Sequence, residues 1–443
     1  MLERDPEPPP ADAAGAWESW ERRGVNQFRL AHLFMPRYRQ ILEAELPEVV
    51  AALERDGALR SNPLLEAPAD FTGGRREGDD RFEMLTGRRA VVERAVAGVA
   101  AATAGLEVRR GTAVAGLRTG AEAAAGVPHV TGVTTADGEE LTADLVVDCT
   151  GRRSAQPAWL AAVGARPPEE ELEDSGFMYY GRHYRSADGS LPADIGGALQ
   201  EFGSISVATL AADNGTWSVV LIAGSDDRAL LGLRDVARWE KAVRSVPTVA
   251  HWIDAEPLED RVITMAKIED RIRNPNPDGR PVATGIVAVA DAWACTNPSL
   301  GRGASIGMMH AQLLRDCLRS VGTDRPAALN EAFSEATARV VEPWYRATVE
   351  FDRHRLAEMK ALAAGRTYET DDPAFGIAKA MRASLLRDPD CFRSFLDVAG
   401  VLATPEEVLA RPGVLDKFIE HGGDWREQPG FGPTREELVG LAA

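Results

Sequence analysis

The sequence predicts an α/β fold with an inserted antiparallel sheet and a helical C-terminal region. Three observations support this prediction. Between Val287 and Leu314, an apolar stretch is followed by an aspartate, a Gly-x-Gly and an amphipathic helical pattern. Residues 172–275 contain an aromatic-rich strand pattern and, at 213–215, the hairpin signal Asp-Asn-Gly. After Leu314 nearly all of the chain has a helical pattern, divided by proline and glycine.

The N-terminal third alternates between helical and extended patterns. Apolar residues recur at helical spacing from Phe34 to Leu53, and residues 86–104 predict a second helix. A strand is expected from Leu106 to about Val114. The segment from Leu141 to Ser154 predicts a short apolar strand that runs into a turn of small residues.

The middle of the chain predicts the inserted sheet. The run FMYYGRHYR at 177–185 favours one strand, and the segments Ile205–Ala212 and Thr216–Ala223 flank the hairpin signal. A buried strand returns at Val282–Val289. The expected domains are 1–171 and 276–325 for the α/β unit, 172–275 for the sheet, and 326–443 for the helical region.

Some residues of the sheet have two interpretations that the sequence leaves open. These residues either line an apolar substrate cavity or belong to the ordinary core of a sheet. They are Phe177, Tyr179, Trp217 and Met265.

Composition sets limits on function. The 443 residues are enough for two or three domains, and 44% hydrophobic with 27% charged residues is typical of a soluble globular protein. A formal net charge of −18 disfavours nucleic acid and anionic membranes as partners. No stretch approaches the ~20 apolar residues of a membrane helix, and MLERDPEPPP lacks the apolar region of a signal peptide.

The four cysteines, at 149, 295, 317 and 391, are widely spaced. They form no Cys-x-x-Cys or Cys/His cluster, so the sequence predicts neither a metal site nor a disulfide framework. A reducing compartment, the cytoplasm, is expected.

The segment around Asp291 carries the clearest chemical signal. It places a carboxylate and a helix N-terminus at the carboxyl end of a strand, where α/β sheets bind ligands. Asp291, as an acceptor, suits the hydroxyls of a ribityl chain. Gly301 and Gly303 allow the backbone to approach a planar ring, and the helix N-terminus favours the negative charge of a reduced flavin. The alternative is the strand, loop and helix of any α/β protein.

This segment resembles the C-terminal flavin motif of the FAD-dependent aromatic hydroxylases, Gly-Asp-x-x-x-x-x-x-Pro-x-x-Gly-x-Gly. Asp291, Pro298, Gly301 and Gly303 occupy its positions, while Ala290 replaces its first glycine. The turn at 148–154, DCTGRRS, resembles the Asp-Ala-Thr-Gly variant of an internal motif in the same flavoproteins. It lies about 140 residues before Asp291.

The resemblance implies further residues near the cofactor. In RRGVNQFRLAHLF, Gln27 and Arg29 match a family segment whose arginine lies near the cofactor, and a planar guanidinium suits a pyrophosphate. Glu3 occupies the position of the acidic residue that binds the adenosine ribose. The remaining residues implied to bind the cofactor are Arg4, Arg89, Val114 and Ala304. A solvated basic turn is the alternative for the segment around Arg29.

The family's first strand and its G-x-G-x-x-G turn, which hold the FAD pyrophosphate, are not found in the sequence. Met1 to Asp5 resembles the end of the family's second strand. We therefore expect a Rossmann-like FAD-binding domain that lacks its first strand and helix, roughly 30 residues. Our interpretation is a start codon assigned too late.

The resemblance implies an FAD-dependent monooxygenase. NAD(P)H reduces the flavin, molecular oxygen forms a flavin hydroperoxide, and one oxygen atom enters a small organic substrate, for which a secondary metabolite is one candidate. The cofactor performs the difficult step, so no catalytic residue is assigned.

Two alternatives remain open. One is a related flavoenzyme, either a double-bond reductase or a halogenase, although a halogenase is disfavoured because no Trp-x-Trp-x-Ile-Pro segment is present. The other is a truncated, non-catalytic paralogue that does not hold FAD.

Overall fold

A computed structural model describes residues 1–25, 27–194, 197–428 and 432–443. The strands are β1 (Leu2–Glu3), β2 (Leu59–Ser61), β3 (Met84–Thr86), β4 (Arg109–Arg110), β5 (Val114–Thr119), β6 (Val130–Thr135), β7 (Glu140–Thr142), β8 (Val146–Asp148), β9 (Glu169–Asp174), β10 (Phe177–Arg185), β11 (Leu199–Phe202), β12 (Ile205–Ala211), β13 (Thr216–Gly224), β14 (Glu256–Pro257), β15 (Ile263–Met265), β16 (Glu269–Asn274), β17 (Ile286–Ala288) and β18 (Ala294–Cys295).

The α-helices are α1 (Ala13–Glu18), α2 (Pro36–Glu45), α3 (Pro47–Arg55), α4 (Pro63–Glu66), α5 (Ala69–Thr72), α6 (Arg89–Ala102), α7 (Gln156–Ala162), α8 (Val236–Arg244), α9 (Gly303–Val321), α10 (Pro326–Val340), α11 (Glu342–Ala363), α12 (Pro373–Ala383), α13 (Pro389–Ala399), α14 (Pro405–Leu409), α15 (Val414–Gly422) and α16 (Arg435–Ala442).

The largest sheet is antiparallel, in the order β11-β12-β13-β10-β14, with β15 also paired to β10. The predicted hairpin is confirmed, because β12 and β13 pair across residues 213–215. Asn214 adopts a φ of +53° at the turn, a conformation that asparagine tolerates. Side chains alternate along β10, so Tyr180 and Tyr184 face one side of the sheet and Tyr179 faces the other, where α11 covers part of the surface.

The covered face of the antiparallel sheet forms the largest core cluster. Tyr180 and Tyr184 of β10 pack there with Trp217 of β13 and Trp239 of α8. Leu438 of α16 joins the same cluster, so the end of the chain returns to the inserted sheet. The helical pattern of the C-terminal region did not predict this contact.

Two short parallel pairs represent the α/β unit. In one pair, β17 lies beside β8, with Ile286 opposite Val146. In the other, β1 lies beside β4, with Leu2 opposite Arg109. The pair of β17 and β8 contains the start of the Val287–Leu314 segment, whose pattern predicted an α/β fold.

Three predicted elements differ in extent from the structure. The helix predicted from Phe34 to Leu53 is two helices, because Pro47 starts α3 and cannot donate a backbone hydrogen bond to α2. The strand predicted from Leu106 to Val114 contains only the two residues of β4, before β5 begins at Val114. The strand predicted at Val282–Val289 is the three-residue β17.

The helices beyond residue 326 confirm the predicted helical C-terminal region. Proline starts most of them, where its missing N–H leaves no helical hydrogen bond unmade. Within the described residues, no helix combines the length and the apolar character that crossing a membrane requires.

Candidate functional site

A central cavity of about 4030 Å³ separates the α/β unit from the antiparallel sheet and the C-terminal helices. Typical small-molecule pockets measure ~300–1,000 Å³, so this volume is enough for a large cofactor together with a second molecule. Tyr179, Val220, Ile222 and Met265 form one wall, on the face of the sheet opposite the core that it forms with α8 and α16. The start of α9 forms another wall.

Each of the two interpretations of these four sheet residues applies to two of them. Tyr179 and Met265 line the central cavity, as the cavity interpretation predicted. Trp217 belongs to the core on the opposite face, as the alternation of side chains along β13 requires. Phe177 shares the face of Tyr179 but is a buried core residue there.

Asp291 borders the central cavity in a turn that follows β17. The residue before it, Ala290, has a φ of +54°, which is favourable for glycine and costly for a residue with a Cβ. The Ala290 N–H donates to His310 Nδ1 at 3.1 Å, and His310 Nε2 lies 3.0 Å from Thr337 Oγ1. Because Thr337 Oγ1 donates to a backbone carbonyl, Nε2 carries the proton and Nδ1 accepts.

The Asp291 carboxylate has no hydrogen-bond donor among the described residues. Burial raises the pKa of Asp291, and the positive charges of Arg89 and Arg152 oppose that shift. A carboxylate with free acceptor sites, in a positive field, can bind the hydroxyl groups of a ligand.

The loop from Pro298 to Gly303 faces the same cavity. Gly301 has a φ of +64°, and a Cβ there would lie 2.9 Å from Met35 Cε. Gly303 begins α9, and a Cβ on it would meet open space, which leaves the backbone accessible to a flat molecule. Ala304 follows in the first turn of α9, where backbone N–H groups lack partners within the helix.

A buried polar network holds this loop from behind. Tyr179 donates its phenolic proton to Asn297 Oδ1 at 2.7 Å, and Ser299 Oγ donates to Asp352 Oδ1 at 2.6 Å. Burial raises the pKa of Asp352 to about 8, so the carboxyl is mostly protonated at neutral pH. Arg302 donates to Thr348 Oγ1 at 3.2 Å, so α11 fixes both ends of the loop.

Several residues predicted near the cofactor lie at the N-terminal side of the central cavity. Arg4, Gln27, Val114 and Arg89 line it together with Glu3. The Arg4 guanidinium lies against Gly24, where any side chain would collide with it.

Two of these N-terminal residues are already engaged. Glu3 Oε2 forms an ion pair with Arg22 Nη2 at 2.8 Å. The Arg89 guanidinium bonds to Glu93 and lies 3.2 Å from His32 Nε2. Burial and the charge of Arg89 lower the pKa of His32 to about 3, so its imidazole is neutral.

Arg29 is not brought to the cavity. Its guanidinium donates to the backbone carbonyls of Trp17 and Trp20 and stacks on the Trp17 ring at 4.9 Å. These contacts tie the chain after α1 to the following loop, a structural role that leaves few donors for a phosphate.

The turn at 148–154 is also built from internal contacts. Asp148 accepts hydrogen bonds from the Thr150 N–H at 2.8 Å, the Thr150 hydroxyl at 2.6 Å and the Ser154 hydroxyl. Gly151 takes a φ of +82°. Asp148 therefore shapes the turn. As a result, Arg152 lies on the cavity wall.

Sequence reasoning missed Arg152, His310 and Asn297, and it missed a pairing of His354 with Tyr368 in the C-terminal region. Arg152 lies inside the 148–154 motif and Asn297 directly precedes Pro298. Their places in or beside the motifs were therefore a sequence signal that could have identified both residues. His310 and His354 lie on helices with no motif, and only packing reveals their roles.

One curated relative shares part of the sequence. The protein Rv3254 of Mycobacterium tuberculosis is 26% identical over 207 residues, which are 46% of this chain and 43% of that protein. The match therefore spans less than half of the relative's length. No protein-family profile matches the chain.

Solved structures share the fold over most of the chain. PqsL of Pseudomonas aeruginosa, a probable FAD-dependent monooxygenase, has a TM-score of 0.57 at 16% identity, covering 82% of this chain and 91% of that one. The anhydrotetracycline hydroxylase OxyS of Streptomyces rimosus has a TM-score of 0.52 at 18% identity, with 91% and 71% covered.

A flavoprotein/dehydrogenase of Cytophaga hutchinsonii has a TM-score of 0.58 at 14% identity, covering 94% of this chain and 89% of that one. At these identities the likeness establishes the fold alone. The predicted fold class, and the resemblance to the flavoprotein hydroxylases at the level of fold, are confirmed.

Proposed function

We propose that this chain, which has the fold of the FAD-dependent aromatic hydroxylases, binds FAD and oxygenates a small organic molecule. The observation that carries the proposal is the Asp291 carboxylate, which lies in the central cavity with free acceptor sites beside the open backbone at Gly303. A partly buried carboxylate without a donor is costly. Ligand hydroxyls would remove that cost.

The residues present fit the ring and ribityl part of FAD. Asp291 would accept hydrogen bonds from ribityl hydroxyls, and the backbone at Gly301, Gly303 and Ala304 would lie along the ring system. The open N–H groups at the start of α9 would favour negative charge on the reduced ring. Bound FAD would supply the electron transfer and oxygen chemistry.

The N-terminal side of the cavity fits the adenosine and phosphate part of FAD. Arg4 and Arg89 provide positive charge there, and Gln27 and Val114 provide polar and apolar contacts. Glu3 would bind a ribose hydroxyl through a remaining lone pair of its carboxylate, whose Oε2 pairs with Arg22 and whose Oε1 accepts the Asp5 N–H at 3.0 Å. Arg29 is excluded from this proposal because its donors are engaged.

The chain's own contribution to the reaction is orientation and exclusion of water. The Tyr179, Val220, Ile222 and Met265 wall is apolar, so a substrate between this wall and the α9 start would be largely dehydrated. The polar network behind Asn297 and Ser299 holds the loop rigid. We propose NAD(P)H as the electron donor and molecular oxygen as the co-substrate.

FAD binding is tested by titrating the purified chain and measuring flavin fluorescence. We expect saturable binding, and a loss of affinity of about tenfold or more for Asp291→Asn, since a charge-assisted hydrogen bond contributes ~1.5–3 kcal/mol. Asp316→Asn, an exposed residue of α9, is the matched control. Equal affinity in the two variants would contradict the site.

Oxygenation is tested by reacting the reduced, FAD-loaded protein with ¹⁸O₂ and a panel of phenolic and polycyclic compounds. Label in the product supports a monooxygenase. A reduced double bond without label would identify the reductase alternative instead, and the dehydrogenase neighbour keeps that alternative open.

A second candidate is a protein that does not hold FAD. Two observations favour it: the described residues contain no G-x-G-x-x-G turn before a helix for the pyrophosphate, and Glu3 is paired with Arg22. If added FAD leaves the purified protein colourless and its fluorescence unchanged, this candidate is correct and the first proposal fails.

A further inference from the structure

Three side chains that can each bind a metal ion meet beside α11. They are Glu350 and His354 of α11 and Asp372, the last loop residue before α12. One potential ligand atom from each lies within 4.8 Å of the other two. Although the chain has 68 acidic residues, this is the one such group among the described residues. None of the three belongs to the cofactor-binding residues proposed above.

The cluster is formed by the fold rather than by a sequence motif. Glu350 and His354 are four residues apart, so they share one face of α11. Asp372 is 18 residues beyond His354, and the loop of residues 364–372 brings it back to α11. The prediction of no metal site considered the spacing of cysteine and histidine, which does not reveal a cluster formed in this way.

The distances fit the ligands of a small divalent ion. His354 Nε2 lies 3.1 Å from Asp372 Oδ2. Two ligands of a tetrahedral zinc ion, with bonds of ~2.0–2.2 Å, are ~3.3 Å apart. Glu350 is exposed and has no hydrogen-bond or ion-pair partner among the described residues, so its carboxylate is free to complete the set.

Neighbouring groups hold the histidine and the aspartate in place. His354 Nδ1 lies 3.0 Å from the Tyr368 hydroxyl, and Asp372 Oδ1 accepts the Ala374 N–H at 2.9 Å. With an ion on Nε2, the Nδ1–H donates to Tyr368 Oη, the kind of outer hydrogen bond that metal-binding histidines generally make. Both ligands therefore offer one atom to the ion while their other atom is anchored.

The local charge favours a cation. Arg353 and Arg355 flank His354 on α11 but pair with Glu173 and Glu358. The two carboxylates of the cluster have no lysine or arginine partner among the described residues. A divalent ion would neutralise their charge.

We propose that Glu350, His354 and Asp372 bind a divalent transition-metal ion, and that Zn²⁺ is the best match to one imidazole and two carboxylates. Three protein ligands leave one position of a tetrahedral ion open, and Glu350 and His354 line the central cavity, from which water reaches that position. The ion fastens the 364–372 loop to α11. This site goes beyond the proposed function and does not depend on flavin binding.

The test uses the untagged full chain, freed of metal with EDTA and then freed of EDTA by gel filtration. Zn²⁺ is titrated calorimetrically into the wild type, Glu350→Gln, His354→Gln and Asp372→Asn. We expect one ion per chain in the wild type. Each variant should weaken binding by about 100-fold or more, because the loss of an outer partner alone costs about 10–100-fold. Tyr368→Phe, which removes such a partner, should weaken binding by about tenfold.

Glu350→Gln is the decisive variant, because an exposed residue without partners contributes little to folding. Its Tm in EDTA should equal that of the wild type. Added Zn²⁺ should raise the Tm of the wild type and leave that of Glu350→Gln unchanged, since only an ion that binds the folded chain stabilises it.

Two controls separate this site from other zinc ligands. His421→Gln removes a histidine whose Nε2 lies 3.8 Å from Asp388 Oδ2, a carboxylate that Lys417 also contacts. Cys149→Ser removes an exposed thiol. Neither substitution should change the affinity for Zn²⁺.

Co²⁺ in place of Zn²⁺ identifies the ligands by absorbance. Visible bands of a four-coordinate ion that disappear in His354→Gln support the proposal, whereas a thiolate charge-transfer band would place the ion on a cysteine and overturn it. Absence of Zn²⁺ binding by the wild type, or equal affinity in the wild type and Glu350→Gln, would also overturn it.

Discussion

At the scale of single residues, Ala290 shows how one side chain departs from the motif it belongs to. The motif has glycine at this position, and the φ of +54° explains why. The Ala290 Cβ also lies 3.2 Å from the place a Cβ on Gly307 would take, so α9 approaches this turn closely. The turn keeps its shape because His310 accepts the Ala290 N–H.

We predict that Ala290→Gly stabilises the protein by about 0.5–1 kcal/mol, because the left-handed strain exceeds the loss of one partly buried methyl group. Urea unfolding measures the change. Ala311→Gly, an exposed helical position of α9 without positive φ, is the control and should destabilise by about 1 kcal/mol. Destabilisation by Ala290→Gly would show that the turn is not strained.

The buried His310 predicts a pH dependence of stability. Burial lowers the pKa of His310 from 6.5 to about 4, so the unfolded chain binds the proton more readily between these values. This contribution is fully present above pH 6.5 and is lost as the pH falls toward 4, by about 3 kcal/mol in total.

The check on His310 is the free energy of unfolding measured from pH 4 to 7 for the wild type, His310→Asn and the control His421→Asn, a half-buried histidine of α15. His32 contributes in the same pH range, because its pKa is lowered to about 3. We therefore expect His310→Asn to flatten the pH dependence only in part. An unchanged slope in that variant would contradict the prediction.

At the scale of elements, the hairpin of β12 and β13 connects the inserted sheet to the N-terminal helices. Asn214 at its turn donates to the Asp56 carbonyl at 2.8 Å, next to α3. Asp213 accepts from the Arg88 N–H and guanidinium, both at 2.6 Å, just before α6. Asp213 is fully buried and Arg88 nearly so.

We predict that Asp213→Asn destabilises the protein by about 3–5 kcal/mol, because it leaves the buried Arg88 charge without its partner. Asp254→Asn breaks an exposed ion pair with Arg244 in the same part of the chain and should cost less than about 1 kcal/mol. The two free energies of unfolding in urea are compared directly. Similar losses would mean that the buried pair has no special role.

At the scale of the whole molecule, the two parallel pairs each have a free edge. Among the described residues, β1 pairs only with β4, and β8 pairs only with β17. Leu2 of β1 and Val147 of β8 both line the central cavity, and Val147 is 43% exposed. Unpaired edges with exposed apolar residues favour association with another strand. An added parallel strand would have these two edges to pair with.

We predict that an N-terminal extension encoding such a strand and a G-x-G-x-x-G turn raises both stability and FAD affinity. About six newly buried side chains at ~1.5–3 kcal/mol each contribute on the order of 10 kcal/mol before entropy. A rise in Tm of about 10 °C or more is expected. A Gly/Ser extension of equal length is the control, and equal Tm values would contradict the prediction.

How far the sequence predicted the site depends on how local each contact is. Asp291, Pro298, Gly301 and Gly303 are close in sequence, so a motif identified them, and all four line one cavity. Arg29 matched a motif as well, but its guanidinium caps the carbonyls of a nearby helix instead. No spacing rule distinguishes these two uses of an arginine, and the assignment of binding residues stays a proposal.

The sequence by itself determined the order of local structures. The aromatic-rich run at 177–185 predicted one strand of the antiparallel sheet, Asp-Asn-Gly predicted its hairpin, and a helical pattern predicted the C-terminal region. These are properties of neighbouring residues. The positions of the domain limits remain a prediction.

Tertiary structure alone decided which distant residues meet. It placed His354, Tyr368 and Asp372 together at one end of the cavity, returned α16 to the inserted sheet, and gave the neutral His310 its place behind Asp291. The physical reason is that packing and hydrogen bonding between elements depend on three-dimensional proximity, which the periodicity of a single chain does not encode.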